Sequence, residues 1–336
     1  MGTDDNPGMS PPGRPKGEYR KAQPEGTPMN DTSMALNGAL ALTHWGLIRA
    51  RGADAVKFLQ SQLTNDVAAL GDAQVRLAGF CSAKGRLQAS FVVWKLASDE
   101  VLLACSASVL PATLKRLSMF VLRAQCKLSD ASAELSLHGV AGDSARALIG
   151  DAAVWTWRAT DNGTLVRLPD VDGVMRCMIA GSTPPAALPA ITADAWRALE
   201  VRSGIPVIET ATVEQFVPQM LNYEIVGGVD FQKGCYPGQE IVARSQYRGT
   251  IKRRMFLFEC RAPLVAGQEV FHSADASQPA GMVVNAAPLA SGSVALVEVK
   301  LAALEGGTLH ADAAGGAMLV RRELPYAVPS DATLPA

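Results

Sequence analysis

The sequence predicts an α+β fold made of three units, and three stretches of the chain carry that prediction. Residues 54–128 follow the order helix, hairpin, strand, helix and strand, which is typical of a ferredoxin-like, split βαβ unit. Residues 132–195 repeat a similar alternation of strands and helices. From residue 251 onward, short apolar segments separated by glycine-rich turns indicate a small β-barrel or sandwich.

The first unit begins with residues 36–50, which predict a short helix or turn that leads into a strand. Residues 54–66 predict a helix, and residues 76–97 predict a β-hairpin that turns at residues 82–86. A short strand at residues 101–105 follows. The apolar side chains that repeat at helical spacing in the first helix are Val56, Leu59 and Leu63.

An amphipathic helix over residues 108–123 and a strand near 126–128 complete the first unit. The second unit is predicted as a strand at 134–140, a helix at 143–149 and strands at 163–168 and 173–180. A proline-rich loop at 184–189 precedes a further helix, which Thr192 caps and which ends near Gly204. The strands of the third unit are predicted at 251–260, 268–272, 280–285, 293–300, 307–311 and 316–322.

The composition excludes some classes of protein. The net charge of −1 argues against dedicated nucleic-acid binding, and the longest apolar runs are far too short to span a bilayer. Residues 1–36 are rich in Gly, Pro, Asp and Lys and lack the apolar core of a secretory signal. We therefore expect a disordered tail there, and a second irregular tail at residues 327–336.

The six cysteines are widely spaced and form no CxxC pair, which argues against a zinc ribbon or a thioredoxin motif. They lie at positions 81, 105, 126, 177, 235 and 260. We therefore predict no stable metal site and a reduced, cytoplasmic location. We also expect a monomer.

One stretch concentrates a potential nucleophile, flexible backbone and charge: Lys233-Gly234-Cys235-Tyr236-Pro237-Gly238-Gln239-Glu240. Glycines on both sides of the cysteine widen the range of backbone conformations. Gly234 can then expose the sulfur of Cys235, and Gly238 can let a ligand approach the main chain. We predict that this stretch is the functional centre of the chain.

Positive charge near Cys235 would favour its thiolate form, and Lys233, Arg244 and Arg248 could supply that charge. The alternative is a tight turn that holds an inert cysteine, and the local sequence does not decide between the two. The four histidines lie far from the stretch in sequence, so a Cys–His pair could arise only through folding. A basic run at 252–254 fits a phosphate contact or, more simply, a solvated strand edge.

This stretch, with Ile241-Val242-Ala243-Arg244 after it, resembles the signature of the YgfZ family of folate-binding proteins. That family is related to the glycine-cleavage T-protein, an aminomethyltransferase. Three other segments agree more loosely: residues 52–66, the turn Lys84-Gly85-Arg86, and residues 196–222. The resemblance covers residues 38–325.

The resemblance implies a T-protein-like fold with three domains around a central cavity. Residues 37–130 and 196–250 would form the first ferredoxin-like domain, on the folate side. Residues 131–195 would form the second α+β domain, and residues 251–326 the C-terminal β-barrel.

The resemblance also implies tetrahydrofolate, or a one-carbon derivative of it, as the ligand. The two folate-contacting tryptophans of the family fall on Trp45 and Trp196. From local sequence alone, Trp45 is more simply a core or edge aromatic. An indole ring can nevertheless stack on a flat pterin or aminobenzoate, and the resemblance favours that role.

Two departures from the wider fold bear on activity. The catalytic carboxylates of the T-protein have Gln88 and Ala89 in their place here, and neither side chain can act as a general acid or base. The usual pterin-binding glutamate has Arg202 in its place, and a guanidinium offers no acceptor. Pterin recognition then either moves to another acid, such as Glu200 or Glu240, or becomes weak.

The resemblance therefore favours an accessory protein over a conventional aminomethyltransferase. It would bind tetrahydrofolate and support assembly or repair of iron–sulfur clusters, including those of enzymes that methylthiolate tRNA, with Cys235 as the reactive or cluster-contacting thiol. Its partners would be folate and iron–sulfur enzymes or assembly proteins, with no direct nucleic-acid or membrane contact. The alternatives are a folate-dependent one-carbon transferase or demethylase of unknown substrate, and a scaffold in which the loop only packs.

Overall fold

The computed structural model describes residues 36–161, 163–183, 188–247 and 251–329. Its helices are α1 (Ala55–Gln60), α2 (Leu110–Met119), α3 (Asp143–Ile149), α4 (Ala193–Arg202) and α5 (Gln239–Tyr247). Its strands are β1 (Gly38–Ala41), β2 (Trp45–Arg51), β3 (Val75–Cys81), β4 (Leu87–Ala97), β5 (Glu100–Ser106), β6 (Lys127–Asp130), β7 (Ser136–Ala141), β8 (Trp157–Thr160), β9 (Gly163–Val171), β10 (Val174–Gly181), β11 (Arg253–Cys260), β12 (Glu269–His272), β13 (Gly281–Leu289), β14 (Gly292–Lys300), β15 (Leu309–Ala311) and β16 (Met318–Arg322). The expected N-terminal tail before residue 36, Pro184 and Pro185 of the proline-rich loop, Arg248, and residues 330–336 of the second tail lie outside the described residues.

The first sheet has five antiparallel strands in the order β3-β4-β5-β2-β6. The predicted hairpin is confirmed as β3 and β4, and its turn closes where the Ser82 N–H donates to the Arg86 carbonyl at 2.9 Å. Gly85 has a φ of +70° in that turn, a conformation that favours glycine. Helix α1 is shorter than predicted, because the chain turns away so that the Thr64 N–H can donate to the Gly79 carbonyl at 2.9 Å.

The second sheet has the order β1-β7-β10-β9-β8. Strand β1 lies in a region predicted as a helix or turn, and that prediction is wrong for these residues. Their position in the first domain is also corrected, because β1 pairs with β7 over the register Gly38 to Ala141. Strand β8 was not predicted, whereas α3 begins and ends at the predicted residues.

The third unit is a closed, six-stranded antiparallel barrel in the order β11-β14-β13-β12-β15-β16. All six of its predicted strands are confirmed, so the fold is α+β with a C-terminal barrel. The apolar side chains of β11, β13 and β14 alternate between two cores, one inside the barrel and one toward the rest of the chain.

The segment after residue 192 connects all three units. Thr192 caps α4 as predicted, its Oγ1 accepting from the Ala195 N–H at 3.2 Å, and α4 packs against β13 and β14 of the barrel. Further on, the chain returns to the first sheet, where the Leu87 N–H donates to the Phe216 carbonyl at 2.8 Å. The buried Tyr223 hydroxyl then donates to the Ala78 carbonyl at 3.0 Å. The segment that precedes the signature stretch is therefore bonded to the first sheet.

Candidate functional site

The signature loop, residues 233–238, packs against the β3–β4 hairpin turn. Gly238 has a φ of +79°, and a Cβ added there would lie 2.4 Å from the Ser82 carbonyl oxygen and 2.7 Å from the Gly85 Cα. A Cβ at Gly85 would in turn lie 2.8 Å from the Ile241 Cβ. The two glycines therefore allow two backbones to touch, so Gly238 meets the hairpin turn where we had expected a ligand.

Gly234 has open space around it, with nothing within 4 Å of an added Cβ, and Cys235 beside it is exposed. The other cysteines are buried or half-buried. Burial raises the pKa of three of them, Cys81, Cys105 and Cys177, to about 12. Cys235 is thus the exposed thiol of the six. Burial disfavours the thiolate of those three, and the thiolate is the form that acts as a strong nucleophile or metal ligand.

Lys233 is buried, and its ammonium bonds to backbone carbonyls while the charge of Cys235 acts on it electrostatically. The Nζ atom donates to the carbonyls of Gln60 and Leu63 at 2.5 Å each and lies 5.1 Å from the centre of the Tyr236 ring. Burial lowers the pKa of Lys233 to about 8, although the nearby carboxylate of Asp66 opposes that shift. The ammonium therefore anchors the loop to the end of α1, and its donors are not directed to the sulfur of Cys235.

The charged residues of the signature helix are also paired among themselves. Arg244 donates to the Glu240 carboxylate at 2.8 Å, and both side chains are exposed on α5. Gln239 begins this helix, and its N–H donates to the Tyr236 carbonyl at 3.2 Å. Within the described residues no histidine bonds to Cys235, so the structure forms no Cys–His pair.

The two predicted folate tryptophans meet at one carboxylate, that of Glu200 on α4. The indole N–H groups of Trp45 and Trp196 both donate to Oε1 at 2.7 Å. The Nε2 atom of His44 lies 2.9 Å from Oε2. We call these four residues the indole–glutamate cluster. It joins β2 of the first sheet to α4, which packs on the barrel.

Burial alone would raise the pKa of Glu200, but the hydrogen bonds from His44, Trp45 and Trp196 outweigh it and hold the pKa below its usual value. The carboxylate is therefore ionised at neutral pH with most of its acceptor capacity used. The space beside the cluster holds little more than one water molecule.

Trp196 offers no face to a ligand in this structure. Its ring is 1% exposed; a Cβ on Gly139 would lie 2.7 Å from it, and the Arg176 guanidinium lies 6.0 Å from its centre. The expectation that Trp196 stacks on folate stays a prediction, and in this structure backbone and a cation cover the ring. Trp45 is half-buried and borders the small space beside Glu200.

The two departures from the wider fold have clear structural positions. Arg202 points to the carboxylates of Asp172 and Glu259 at 3.7 and 3.9 Å. Ala89 is fully buried in the first sheet, and the Gln88 amide donates to Glu214 Oε1 at 2.6 Å. Neither catalytic position of the T-protein therefore offers a carboxylate in this chain.

In the basic run at 252–254, Lys252 is exposed to solvent, whereas the two arginines are engaged in ion pairs. Arg254 is buried and pairs with the buried carboxylate of Glu224, while also donating to the Gln219 carbonyl at 2.9 Å. Arg253 forms a two-pronged pair with Glu298, whose Oε2 lies 2.8 Å from Nη2. Both arginines are structural, holding the first barrel strand.

A larger cavity lies between the two sheets, next to the signature loop. We call it the central cavity; it has a volume of about 580 Å³, part of it open to solvent. Its walls come from β3, the loop before β8, the segment before the signature loop and the end of α5: residues 75–77, Trp155, residues 226, 227 and 229–232, and Tyr247, with Asn65. The sequence did not single out this lining. The signal available was position alone, since Asp230, Phe231 and Gln232 directly precede Lys233.

Two findings concern the part of the chain that the structure describes. None of its helices is long and apolar enough to cross a membrane. None of its groups of His, Cys, Asp and Glu brings three such side chains together as a metal site would require.

Comparisons with known proteins agree with this architecture. Residues 35–196 match the GCVT N-terminal domain family. A solved aminomethyltransferase T of the glycine cleavage system, from Bartonella henselae, superposes with a TM-score of 0.66 over 85% of this chain and 84% of that chain, at 18% identity. At that identity the similarity concerns the fold, and it confirms the predicted T-protein-like architecture.

The relatives in sequence are more specific. The "tRNA-modifying protein YgfZ" of Sodalis glossinidius is 32% identical over 314 residues, covering 86% of this chain and 93% of that protein. The protein of the same name from Klebsiella pneumoniae is 32% identical and covers 77% of this chain and 84% of its own length. A third, from Yersinia enterocolitica, is 30% identical and covers 87% and 93%. The signature stretch, the fold and these relatives agree, and this chain belongs to the YgfZ family.

Proposed function

We propose that this protein is a tetrahydrofolate-binding accessory protein of tRNA modification, which supports the assembly or repair of iron–sulfur clusters through the thiol of Cys235. The relatives are named tRNA-modifying proteins, and this supports the first part. The observation that carries the rest is the geometry of the signature loop, which presents one exposed thiol on a fixed backbone.

The central cavity is the place that fits folate. Its volume is in the range of small-molecule sites, and its lining combines apolar and aromatic side chains with a few polar groups. The indole–glutamate cluster does not fit, because its open space holds about one water. Bound tetrahydrofolate would supply one-carbon chemistry. The residues of this chain that would hold it are those of the cavity wall, including Trp155 and Arg76, in place of Trp196.

The cavity and the thiol are neighbours along the chain. Residues 230–232 form part of the cavity wall, and the loop that carries Cys235 begins at the next residue. Because Lys233 fixes the start of that loop, a ligand that orders residues 230–232 would also restrict the loop. Folate would then act as a cofactor that positions the thiol.

A cluster would need ligands from elsewhere. Clusters take four ligands as a rule, and this loop supplies one thiolate. We therefore propose that Cys235 contacts a cluster held mainly by a partner, an iron–sulfur enzyme or assembly protein in the reducing cytoplasm. We rank a one-carbon transferase or demethylase below this function, because Gln88 and Ala89 leave the T-protein route without its carboxylate.

Complementation tests the thiol. A bacterial strain that lacks its own family member would receive the wild-type protein, Cys235→Ser or the control Cys126→Ser, and methylthiolated tRNA would be measured. We expect loss with Cys235→Ser and full recovery with the control, whose half-buried thiol lies just before β6. Full recovery by Cys235→Ser would refute the thiol role.

Calorimetry tests the ligand separately. Purified wild type and Cys235→Ser are titrated with tetrahydrofolate under argon. We expect both to bind with similar affinity, because the thiol is outside the cavity lining. No binding by the wild type would refute the folate part while leaving the thiol result intact.

A further inference from the structure

The central cavity contains one carboxylate and one guanidinium among its described lining residues, those of Asp230 and Arg76. Within the described part of the chain no ion pair joins them, so neither neutralises the other directly. Beside its apolar and aromatic side chains and the amides of Asn65 and Gln232, the cavity thus presents an anion and a cation to the same occupant.

Asp230 has a fixed position and a spare acceptor. Its Oδ1 accepts from the N–H groups of Gln232 at 2.7 Å and Lys233 at 3.2 Å, which locks the carboxylate to the backbone. No hydrogen bond within the described residues uses its Oδ2. The amide of Asn65, by contrast, is fully used, since its Nδ2 donates to the Leu77 and Gly227 carbonyls and its Oδ1 accepts from the Asp66 N–H.

The other acids considered for pterin recognition are unsuited to this cavity. The acceptors of Glu200 are taken by the indole–glutamate cluster, outside the cavity lining. Glu240 is exposed on α5 and paired with Arg244. Arg202, which replaces the usual glutamate, carries no acceptor and pairs elsewhere.

We infer that Asp230 is the pterin-recognising acid of this chain, with its Oδ2 accepting from two adjacent N–H donors on the edge of a 2-amino-4-oxopteridine, and that Arg76 pairs with the carboxylate end of the same ligand. This inference rests on the folate-binding proposal and names the residues that would give it specificity. The loss of the usual glutamate at position 202 is then compensated from the segment that adjoins the signature loop.

The chemistry of Arg76 agrees with that assignment. Its guanidinium donates to the backbone carbonyls of Asp66 at 2.7 Å and Ala69 at 3.3 Å, which fixes its plane without a countercharge. A guanidinium retains donors beyond two such bonds, and a ligand carboxylate is a suitable acceptor for them. The indole of Trp155 lines the same space and supplies an aromatic surface for the part of the ligand between its ends.

Binding calorimetry with two probes tests the inference. The probes are 5-formyltetrahydrofolate, which has the pteridine, and p-aminobenzoylglutamate, which lacks it. Asp230→Asn keeps an oxygen that can accept from the Gln232 and Lys233 N–H groups but loses the charge and one acceptor. We expect it to weaken binding of the first probe by about tenfold or more and to leave the second within about twofold.

Arg76→Gln should weaken both probes, and the exposed control Asp72→Asn should weaken neither. A further arm uses wild type alone, so that it does not depend on how a variant folds: a 5-formyltetrahydrofolate analogue methylated at N3, which lacks one donor, should bind about tenfold more weakly. Equal binding of the parent and N3-methyl probes, or an Asp230→Asn variant that binds both original probes like wild type, would overturn the assignment alone. No binding of 5-formyltetrahydrofolate by wild type would overturn it together with the folate proposal.

Discussion

Substitution of the two signature glycines by alanine is a direct test of how the loop is held, because the two positions differ sharply in one loop. At Gly238 an alanine would have to adopt a φ of +79°, at a cost of about 1–2 kcal/mol. Its Cβ would also overlap the Ser82 carbonyl oxygen and the Gly85 Cα, both backbone atoms that can move only with the hairpin. Relieving such overlaps costs about 1–3 kcal/mol.

We therefore expect Gly238→Ala to lower the free energy of unfolding by about 2–5 kcal/mol. Gly234→Ala is the matched control. Its Cβ meets nothing within 4 Å and its φ is ordinary, so it should change stability by less than about 1 kcal/mol, in the stabilising direction if at all.

Urea unfolding followed by far-UV circular dichroism gives both free energies. Native reactivity of Cys235 with a chromogenic disulfide reagent reports on the loop in the same samples. Equal stability of the two variants would contradict the contact between Gly238 and the hairpin turn.

Three further results are expected. The pKa of Glu200 is lowered in the folded state, so its contribution to stability is present above its ordinary value of 4.5 and is lost as the pH falls through the folded pKa. Glu200→Gln should make unfolding less dependent on pH below 4.5, and an unchanged acid limb in thermal melts would count against the cluster. Burial lowers the pKa of Lys233 from 10.5 to about 8. The free energy of unfolding of wild type relative to Lys233→Met should therefore rise as the pH increases from about 8 to 10.5, and parallel plots of stability against pH would contradict burial of the ammonium. Native thiol titration should show one fast thiol, absent in Cys235→Ser, and a slower one from Cys126; any fast thiol in the variant would be incompatible with this structure.

Local pattern was sufficient where an element owes its conformation to its own side chains. Helix α3 and the barrel strands follow from periodicity and turn residues, and they form where predicted. Strand β1, Gly38–Ala41, has a weak pattern of its own and becomes a strand because β7 pairs with it. Local sequence cannot reveal such a partner, because β7 lies about a hundred residues further along the chain.

The site shows the same limit at the level of side chains. Proximity in sequence suggested that Lys233 would serve Cys235, yet its ammonium reaches back to carbonyls at the end of α1. The resemblance selected Trp45 and Trp196 together, and the structure does bring them together, but through their N–H groups on Glu200. The residue type suggested that the two indole rings would offer aromatic surfaces to a ligand. In the structure the buried carboxylate of Glu200 engages their N–H groups.

The early position of β1 has a consequence for how the protein is made. Of the described strands, β1 leaves the ribosome before the others, and its partner β7 follows about a hundred residues later, after the strands of the first sheet have emerged. Closing a contact of that separation is slow, so we expect the nascent chain to complete the first sheet while β1 still lacks its partner β7. An open strand edge is where chains pair wrongly. Pairing of β1 with β7 then closes the edge of the second sheet. Because β1 continues directly into β2 of the first sheet, the second sheet cannot mature as an independent unit.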